Sequence, residues 1–395
     1  MTDGEVVRRR QGPPGLVIAV VIAVTGLVLA LTVSLIVALC AALLLSAAGV
    51  APRARGVDWP GFWRWWRLQT RPMGKGTAIA SVNVVWPSLR RLLRPDYLFV
   101  TYPGTERHKR LYFPPWVERT LRPVFPSGVI RFGSYWGLIV SGVATAETLE
   151  SSPERMRALL DETRGQFPGI EVIALAGRLP GVAEKTGVGL EPPFIHGNRG
   201  TVCAMVGAAR ELARLLDKPP SEVTVGLVGS GGYIGSRLLA SLRGDFSRVI
   251  ALDPRFEGAP VEDGGVRYTD RPEDLAEAEA IVVLTARGTD TAALAQHVAA
   301  GSVVADDTHP EIPVPIRTAM EHRGATVLKA AMADDRIRIL PRIPTFRADD
   351  IPGCLLEALV VVQRGSEVLE TQEGFNEAAA ELGFKARLAP HLNPT

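Results

Sequence analysis

Cysteine is scarce in this chain and forms no motif. The 395 residues include three cysteines, Cys40, Cys203 and Cys354, with no CxxC pair and no even-numbered framework. This excludes a disulfide-stapled scaffold and a paired-cysteine zinc site, and it is typical of a reducing compartment. The sequence also contains no HExxH, GxSxG or GK[ST] signature, so no metal site is indicated.

Charge is absent from one long segment near the beginning of the chain. Residues 11–52 contain no charged side chain and are mostly apolar. Because about 20 apolar residues span a bilayer, and because the run is too long for a signal-peptide core, residues 1–52 are predicted to form a basic N-terminus with a retained transmembrane helix or hairpin. Basic residues flank both ends, which favours the hairpin and a catalytic domain on the cytoplasmic side of the inner membrane.

The charge that is present is distributed unevenly. Residues 1–131 carry 18 Lys and Arg against 6 Asp and Glu, whereas the remainder carries 26 against 36. A basic stretch beside an apolar one indicates membrane lipid rather than nucleic acid as the partner. Residues 53–94 are therefore predicted to be an interfacial linker, anchored by the four tryptophans and three arginines of Trp59–Arg71. The alternative is that these tryptophans pack on the soluble domain.

The clearest motif lies in residues 223–253. An apolar run leads into a glycine turn, a helix-like stretch follows, and a second apolar run ends at Asp253. Strand, turn, helix and strand in about 30 residues make one βαβ unit. The turn is predicted to hold the phosphates of a dinucleotide against the positive end of the helix. Its residues are Gly229, Ser230, Gly231, Gly232, Tyr233, Ile234 and Gly235.

The residues after the second strand bear on the choice of cofactor. Asp253 can accept a hydrogen bond from a ribose hydroxyl and would repel a 2′-phosphate, which favours NADH. Arg255 can instead bind that phosphate, which favours NADPH. Both cofactors stay open on the residues alone.

Apolar runs continue to alternate with helical patterns after Asp253. This alternation predicts an α/β fold: a doubly wound parallel sheet of the Rossmann type over residues 221–345. A smaller α/β lobe, 95–220, precedes it, and C-terminal helices in 346–395 are expected to pack back on the catalytic lobe. Ligands bind beyond the carboxyl ends of such strands, which places Thr285 on the nicotinamide side.

Two further side chains are candidates for chemistry. Cys354 stands at the predicted start of a helix, where the helix N-terminus favours a thiolate nucleophile, although a single cysteine there also suits packing. His309 lies in a loop after a strand and could act as an acid or base, or be solvated.

Four pieces of the sequence resemble a known family. From about Glu171 onward the chain resembles the long-chain acyl-[acyl-carrier-protein] reductases that form fatty aldehydes. The pieces are Ala174-Leu175-Ala176-Gly177 with Glu184; Gly197-Asn198 with Thr201; Gly229-x-x-Gly232-x-Ile234-Gly235-Ser236; and Cys354-Leu355-Leu356-Glu357.

This resemblance implies an activity and a set of residues. Cys354 would carry the acyl group, Glu357 would stand beside it, NADPH would be the cofactor, and the substrate would be a long-chain acyl thioester of acyl carrier protein or coenzyme A. The chain departs from the family where a histidine is replaced within Arg199-Gly200-Thr201, and residues before about 130 show no correspondence.

Three hypotheses follow for the whole chain. The first is a membrane-anchored NAD(P)H-dependent reductase of acyl thioesters to aldehydes. The second is an NAD(P)-dependent dehydrogenase of a small polar substrate, with His309 or Lys185 as proton donor. The third is a membrane-tethered dinucleotide sensor without catalysis, which recruits a partner through residues 53–131. The oligomeric state is left open.

Overall fold

A computed structural model describes Trp86, Phe113 and the ranges 94–106, 109–110, 122–258, 260–343 and 345–392. The predicted membrane segment and the tryptophan-rich stretch lie outside these residues. No helix formed by the described residues is long and apolar enough to cross a membrane. Pro95–Glu106 and Pro123–Thr395 belong to one compact unit, which holds both sheets of the fold.

The first half of this unit builds a small mixed sheet with helices beside it. Its first strand is apolar and almost entirely buried, and the next two strands form a hairpin. The strands are β1 (Tyr97–Thr101), β2 (Val124–Phe132), β3 (Tyr135–Gly142), β4 (Ile173–Leu175) and β5 (Phe194–Ile195). Strands β3, β1, β4 and β5 are parallel neighbours, and β2 pairs antiparallel with β3. The helices are α1 (Ala146–Glu150), α2 (Pro153–Gln166) and α3 (Leu179–Lys185).

One long helix, α4 (Asn198–Leu215), leads from the small sheet to the large one. Its buried face consists mainly of small residues, including Ala204, Ala208 and Ala209. Small side chains let neighbouring backbone approach closely, and apolar periodicity of 3.6 residues places them on a single face. The helix begins at Asn198, directly after Gly197, which adopts the left-handed conformation.

The large sheet contains the predicted nucleotide unit. Its strands in this part of the chain are β6 (Thr224–Val228), β7 (Arg248–Leu252), β8 (Val261–Asp263), β9 (Val266–Thr269), β10 (Ala280–Val283), β11 (Val303–Asp306) and β12 (Thr326–Ala333). All except β8 are parallel, in the spatial order β9-β7-β6-β10-β11-β12. If the six parallel strands are numbered by their position in the chain, without β8, their order across the sheet is 3-2-1-4-5-6. This order is typical of doubly wound dinucleotide-binding sheets. The fold-class prediction is confirmed for this sheet.

Two α-helices and two 3₁₀ segments connect these strands. The α-helices are α5 (Gly235–Leu242) and α6 (Val314–His322), and the 3₁₀ segments span Pro272–Glu277 and Gly288–Leu294. The two 3₁₀ segments have six and seven residues, or about two turns each at three residues per turn.

The C-terminal part of the chain is divided between both sheets. Strand β13 (Ile337–Leu340) pairs with β2 in the small sheet, whereas β14 (Asp350–Ile351) and β15 (Lys385–Ala389) pair with β12 in the large one. Helices α7 (Gly353–Arg364) and α8 (Gln372–Glu381) follow β14 and precede β15 in the chain. The predicted division at residue 345 therefore does not coincide with the sheets, because the partners of these strands lie far away in sequence.

Candidate active site

The glycine turn has the geometry that its sequence indicates. Gly229 adopts φ +85°, a region that disfavours other residues. A Cβ atom on Gly235 would overlap the Gly229 carbonyl oxygen and lie 2.7 Å from Ser230 Cα. Helix α5 begins at Gly235, so the absence of a side chain there lets the helix start directly against the strand end.

Asp253 holds this turn from the end of β7. Its carboxylate is 6% exposed and accepts hydrogen bonds from Gly231 N at 2.9 Å and Arg255 N at 3.0 Å. The Arg255 guanidinium turns back to donate to the Gly231 carbonyl oxygen. Asp253 therefore shapes the turn in addition to standing where a ribose is expected.

The turn also contains features that suit a dinucleotide. The Ser230 hydroxyl is 1% exposed and has no hydrogen-bond partner among the described residues. Beyond the turn, a Cβ atom added to Gly229 would lie 3.3 Å from Thr285 N. The Thr285 hydroxyl donates to Arg287 O at 2.9 Å. The structure thus brings Thr285 beside the glycine turn; its place on the nicotinamide side stays a prediction.

Tyr233 connects the turn to the small lobe, whereas its neighbour Ile234 packs on the core. The Tyr233 hydroxyl lies 2.8 Å from His196 Nδ1 and accepts from Asn198 Nδ2 at 3.2 Å. Partial burial and then the charge of Arg237 lower the pKa of His196. The imidazole is therefore neutral and can accept the hydroxyl proton of Tyr233. Sequence reasoning did not foresee this link.

Cys354 occupies the first turn of α7, where the two lobes meet. It is 8% exposed, and a Cβ on Gly197, which has φ +69°, would lie 2.7 Å from the Cys354 Cβ. Burial raises the pKa of the Cys354 thiol to about 12; the charge of Asp307 raises it further and the N–H of Gly177 opposes both. The thiol is consequently protonated at neutral pH.

Glu357 lies one turn further along α7 and contacts the start of α4. It is 1% exposed and accepts hydrogen bonds from the backbone N–H groups of Gly197, Arg199 and Gly200 at 2.8, 2.7 and 3.1 Å. Burial raises the pKa of its carboxyl, against the effect of these donors. Because the carboxylate is occupied by the start of α4, Glu357 is a positioning residue for the surroundings of Cys354.

His309 lies in the loop after β11, with its ring centroid 6.0 Å from that of Phe346. Burial, together with the charge of Lys329, lowers the pKa of His309 to about 3. The ring is therefore neutral at pH 7 and does not serve as an imidazolium proton donor. Its surroundings desolvate the ring and present a cation to it; a role for His309 as acid or base stays a prediction.

A group of buried charges organises the same loop. Asp306 is fully buried and accepts from Thr308 N at 2.8 Å, from the Thr308 hydroxyl at 2.7 Å and from Ile312 N at 3.0 Å. Lys329 on β12 places Nζ 3.6 Å from Glu311 Oε1 and 3.4 Å from Thr308 O. Sequence reasoning missed Lys329, although a lone lysine within the apolar run of β12 was a signal for it.

A chain of ion pairs joins the lobes near this site. Glu147 Oε1 lies 3.0 Å from an Arg178 nitrogen and 2.9 Å from an Arg287 nitrogen, and Arg178 also pairs with Glu150. Lys185, the other proton donor considered, has a side chain that is 70% exposed and pairs with Glu150. Its ammonium is thus committed to the surface network.

No profile of a known protein family matches the chain, and no curated protein matches it. Solved structures show distant similarity. The NAD-dependent malic enzyme of Thermotoga maritima has 13% identity and a TM-score of 0.39, with 75% of this chain and 87% of that chain covered. The L-tryptophan dehydrogenase of Nostoc punctiforme has 11% identity and a TM-score of 0.34, covering 72% and 79%. A D-isomer specific 2-hydroxyacid dehydrogenase family protein of Klebsiella pneumoniae 342 has 15% identity and a TM-score of 0.30, covering 69% and 96%. Scores at this level assign neither a family nor a substrate.

Proposed function

We propose that the chain is an NAD(P)-dependent oxidoreductase that acts on a small polar substrate. The observation that carries the proposal is the position of the glycine turn. It follows β6, the first strand of the large sheet, at the point where the strand order reverses between β7 and β10. In open α/β sheets this switch point, beyond the carboxyl ends of the strands, is where dinucleotides bind.

The residues of the turn and of the β7 end would hold the cofactor. The turn offers backbone N–H groups, the unpartnered Ser230 hydroxyl and the beginning of α5 to the phosphates. Asp253 and Arg255 lie where the adenine ribose is expected and decide between NADH and NADPH. When bound, a nicotinamide cofactor supplies hydride exchange with a substrate carbon.

The chemistry of the surrounding side chains favours a polar substrate. The loop after β11 and the facing strand β12 bring Asp307, His309 and Lys329 to the carboxyl edge of the sheet. Polar substrates are oriented by a few such groups in an otherwise apolar site. The high thiol pKa of Cys354, about 12, also weighs against a preformed nucleophile.

An acyl-thioester reductase is the second candidate, and one observation favours it. Cys354 lies in the first turn of α7, and the Gly177 N–H points to its sulfur. Both the helix N-terminus and this donor stabilise a thiolate. In this mechanism the thiolate takes the acyl group from a long-chain thioester of acyl carrier protein or coenzyme A, and the anchor in the membrane is part of the same hypothesis.

Nucleotide binding tests the proposal directly. We would titrate the protein with NADH and NADPH and follow the nucleotide fluorescence. Gly235→Ala should weaken binding at least about 10-fold, because the new Cβ overlaps the Gly229 carbonyl that shapes the turn. Gly181→Ala is the matched control, since a Cβ at that position in α3 meets nothing within 4 Å.

Two results would contradict the proposal. One is the absence of binding of either nucleotide to the folded wild-type protein. The other is unchanged binding in folded Gly235→Ala, which would show that the turn does not hold the nucleotide. Binding without turnover of polar alcohols, carbonyl compounds or acyl thioesters would instead favour the sensor hypothesis.

A further inference from the structure

The Asp307 carboxylate is left free by a loop in which other acids are occupied. Asp306, its neighbour, is fully buried and accepts three hydrogen bonds. Asp307 is partly exposed, and its carboxylate accepts no hydrogen bond from the described residues. A half-buried carboxylate that lacks a hydrogen-bond partner among the described residues, at the edge of a ligand-binding sheet, is available to a ligand.

The backbone places Asp307 at a definite distance from the glycine turn. Leu284 N donates to Val228 O at 2.9 Å, and Asp307 N donates to Val283 O at 3.2 Å. Asp307 is thus two strands away from the turn, or about 10 Å at the usual spacing of neighbouring strands. Asp253 lies on the opposite side, at the end of β7. A dinucleotide with its adenine ribose at Asp253 extends its nicotinamide half toward Asp307.

Charged and titratable groups from three elements interact electrostatically with Asp307. They are Lys329 on β12, Asp306 at the end of β11 and Cys354 at the start of α7. Burial raises the pKa of Asp307 to about 7; Lys329 lowers it and Asp306 raises it further. The carboxyl therefore exchanges its proton near neutral pH, as an acid–base catalyst must.

The other ionisable groups of this loop do not change state near neutral pH. His309 is neutral, for the reason given above. Burial acts to raise the pKa of Glu311, but the hydrogen bond from His391 and the charge of Lys329 lower it to about 2. Of the three ionisable side chains in residues 307–311, Asp307 alone can both give and take a proton at pH 7.

We infer that Asp307 is the catalytic acid–base of the site, an inference that rests on the proposed function. In oxidation the O–H bond of a substrate alcohol breaks and its proton passes to Asp307. The adjacent C–H bond breaks with both electrons, which leave as hydride to the nicotinamide, and a carbonyl group forms. The alcohol is oxidised and the cofactor is reduced; the reverse direction starts from protonated Asp307. Lys329 is a positioning residue that tunes Asp307 through its charge.

Cofactor affinity tests this inference without a substrate. NAD⁺ and NADP⁺ carry a positive nicotinamide ring and the reduced forms do not, so ionised Asp307 should attract only the oxidised forms. We expect the Kd of the oxidised cofactor to fall about 3- to 10-fold from pH 6 to pH 8, and the Kd of the reduced form not to fall. In Asp307→Asn the affinity for the oxidised form should be independent of pH, while the reduced form binds within about twofold of wild type.

The control and a second variant separate a charge effect from a structural one. Asp335→Asn removes an exposed acid from the turn after β12 and should preserve the pH dependence. Lys329→Met should move the midpoint of the dependence to higher pH, since the ammonium lowers the pKa of Asp307. If that variant fails to fold, Lys329→Arg, which keeps the charge, should retain the wild-type midpoint.

The outcomes distinguish the two levels of the hypothesis. Two results would overturn the role of Asp307 and leave the cofactor site intact. One is binding of the oxidised cofactor to wild type with no pH dependence between pH 6 and 8. The other is the same pH dependence in Asp307→Asn as in wild type. Failure of NAD⁺, NADP⁺, NADH and NADPH to bind the folded protein overturns the proposed function, and the inference with it.

Discussion

Glu357 and Gly197 are joined by a 2.8 Å hydrogen bond that ties the start of α4 to the first turns of α7. The same carboxylate also holds Arg199 N and Gly200 N. Gly197 in turn lies against the Cβ of Cys354. The helix that leaves the small lobe and the helix that carries the cysteine are therefore fixed to each other at their beginnings, where the ligand is expected.

Glu357→Gln should destabilise the fold. The amide retains one acceptor but turns an NH₂ group toward backbone donors in a buried place, so we expect a loss of about 2–4 kcal/mol in the free energy of unfolding. Urea denaturation measures it. Glu381→Gln, which removes a 65% exposed acid paired with Arg364, should change the free energy by less than about 1 kcal/mol. Equal effects of the two substitutions would contradict the role given to Glu357.

Cys354 should react slowly with alkylating reagents at neutral pH. With a thiol pKa of about 12, the reactive thiolate is scarce, and the labelling rate should still increase as the pH rises above 9. Iodoacetamide labelling followed by mass spectrometry of the peptide with Cys354 measures the rate, with glutathione as the reference thiol. Labelling faster than glutathione at pH 7 would show an activated thiolate.

Cys354→Ser discriminates between the two candidate reactions. In a dehydrogenase of small polar substrates the substitution should change turnover less than about threefold, because the thiol takes no part in that reaction and serine differs from cysteine by a single atom. In an acyl-thioester reductase it should preserve nucleotide binding and abolish turnover, because the acyl-enzyme cannot form as a thioester. Incubation with a radiolabelled long-chain acyl thioester gives a direct measurement. Hydroxylamine-sensitive label on wild type alone would establish the second reaction.

Arg255 should contribute to the affinity for NADPH and not for NADH. Its guanidinium is 68% exposed and lies over the turn, so it can move to a 2′-phosphate without losing a buried contact. Arg255→Ala should raise the Kd of NADPH about 5- to 50-fold and that of NADH less than about twofold. Arg243→Ala removes an exposed arginine paired with Asp263 and serves as control. Equal losses for both nucleotides in Arg255→Ala would assign the arginine to the turn itself.

Asp307→Asn should make the protein more stable at alkaline pH. The folded protein binds the Asp307 proton more tightly than the unfolded chain does, since its pKa is about 7 instead of 3.8. This contribution to stability is complete below pH 3.8 and is lost as the pH rises through 7, to an upper limit of about 4 kcal/mol. Melting temperatures at pH 5 and pH 8 check the sign. The gain from Asn should be larger at pH 8, and an equal or smaller gain there would contradict the raised pKa.

The parts of the fold that sequence predicted are those that depend on neighbours in the chain. The glycine turn, its flanking strands and α5 follow from residues 223–253, since a βαβ unit is local. Strands β13 and β15 could not be predicted in this way. Their partners β2 and β12 lie far along the chain, and short alternating runs do not indicate which edge they will join.

The same distinction holds for the site. The need for glycine at 229 and 235 could be predicted, because strand ends and turns have local signatures. The neutral state of His309 could not be, since it results from burial and from Lys329, which a different strand supplies. The sequence indicated Glu357 only as part of the Cys354-Leu355-Leu356-Glu357 motif, and not by its contacts. Its three backbone partners belong to another helix.

The chain passes between the two sheets three times, through α4, between β12 and β13, and between β13 and β14. Neither lobe can therefore be exchanged for that of another protein by a single recombination point in the chain. A fragment that ends before Ile337 would lack β13, the edge strand of the small sheet. Strand β2 would then expose unpaired backbone groups, which promote aggregation. A functional transplant of the small lobe therefore has to include β13, which follows strands β6 to β12 of the large sheet in the sequence.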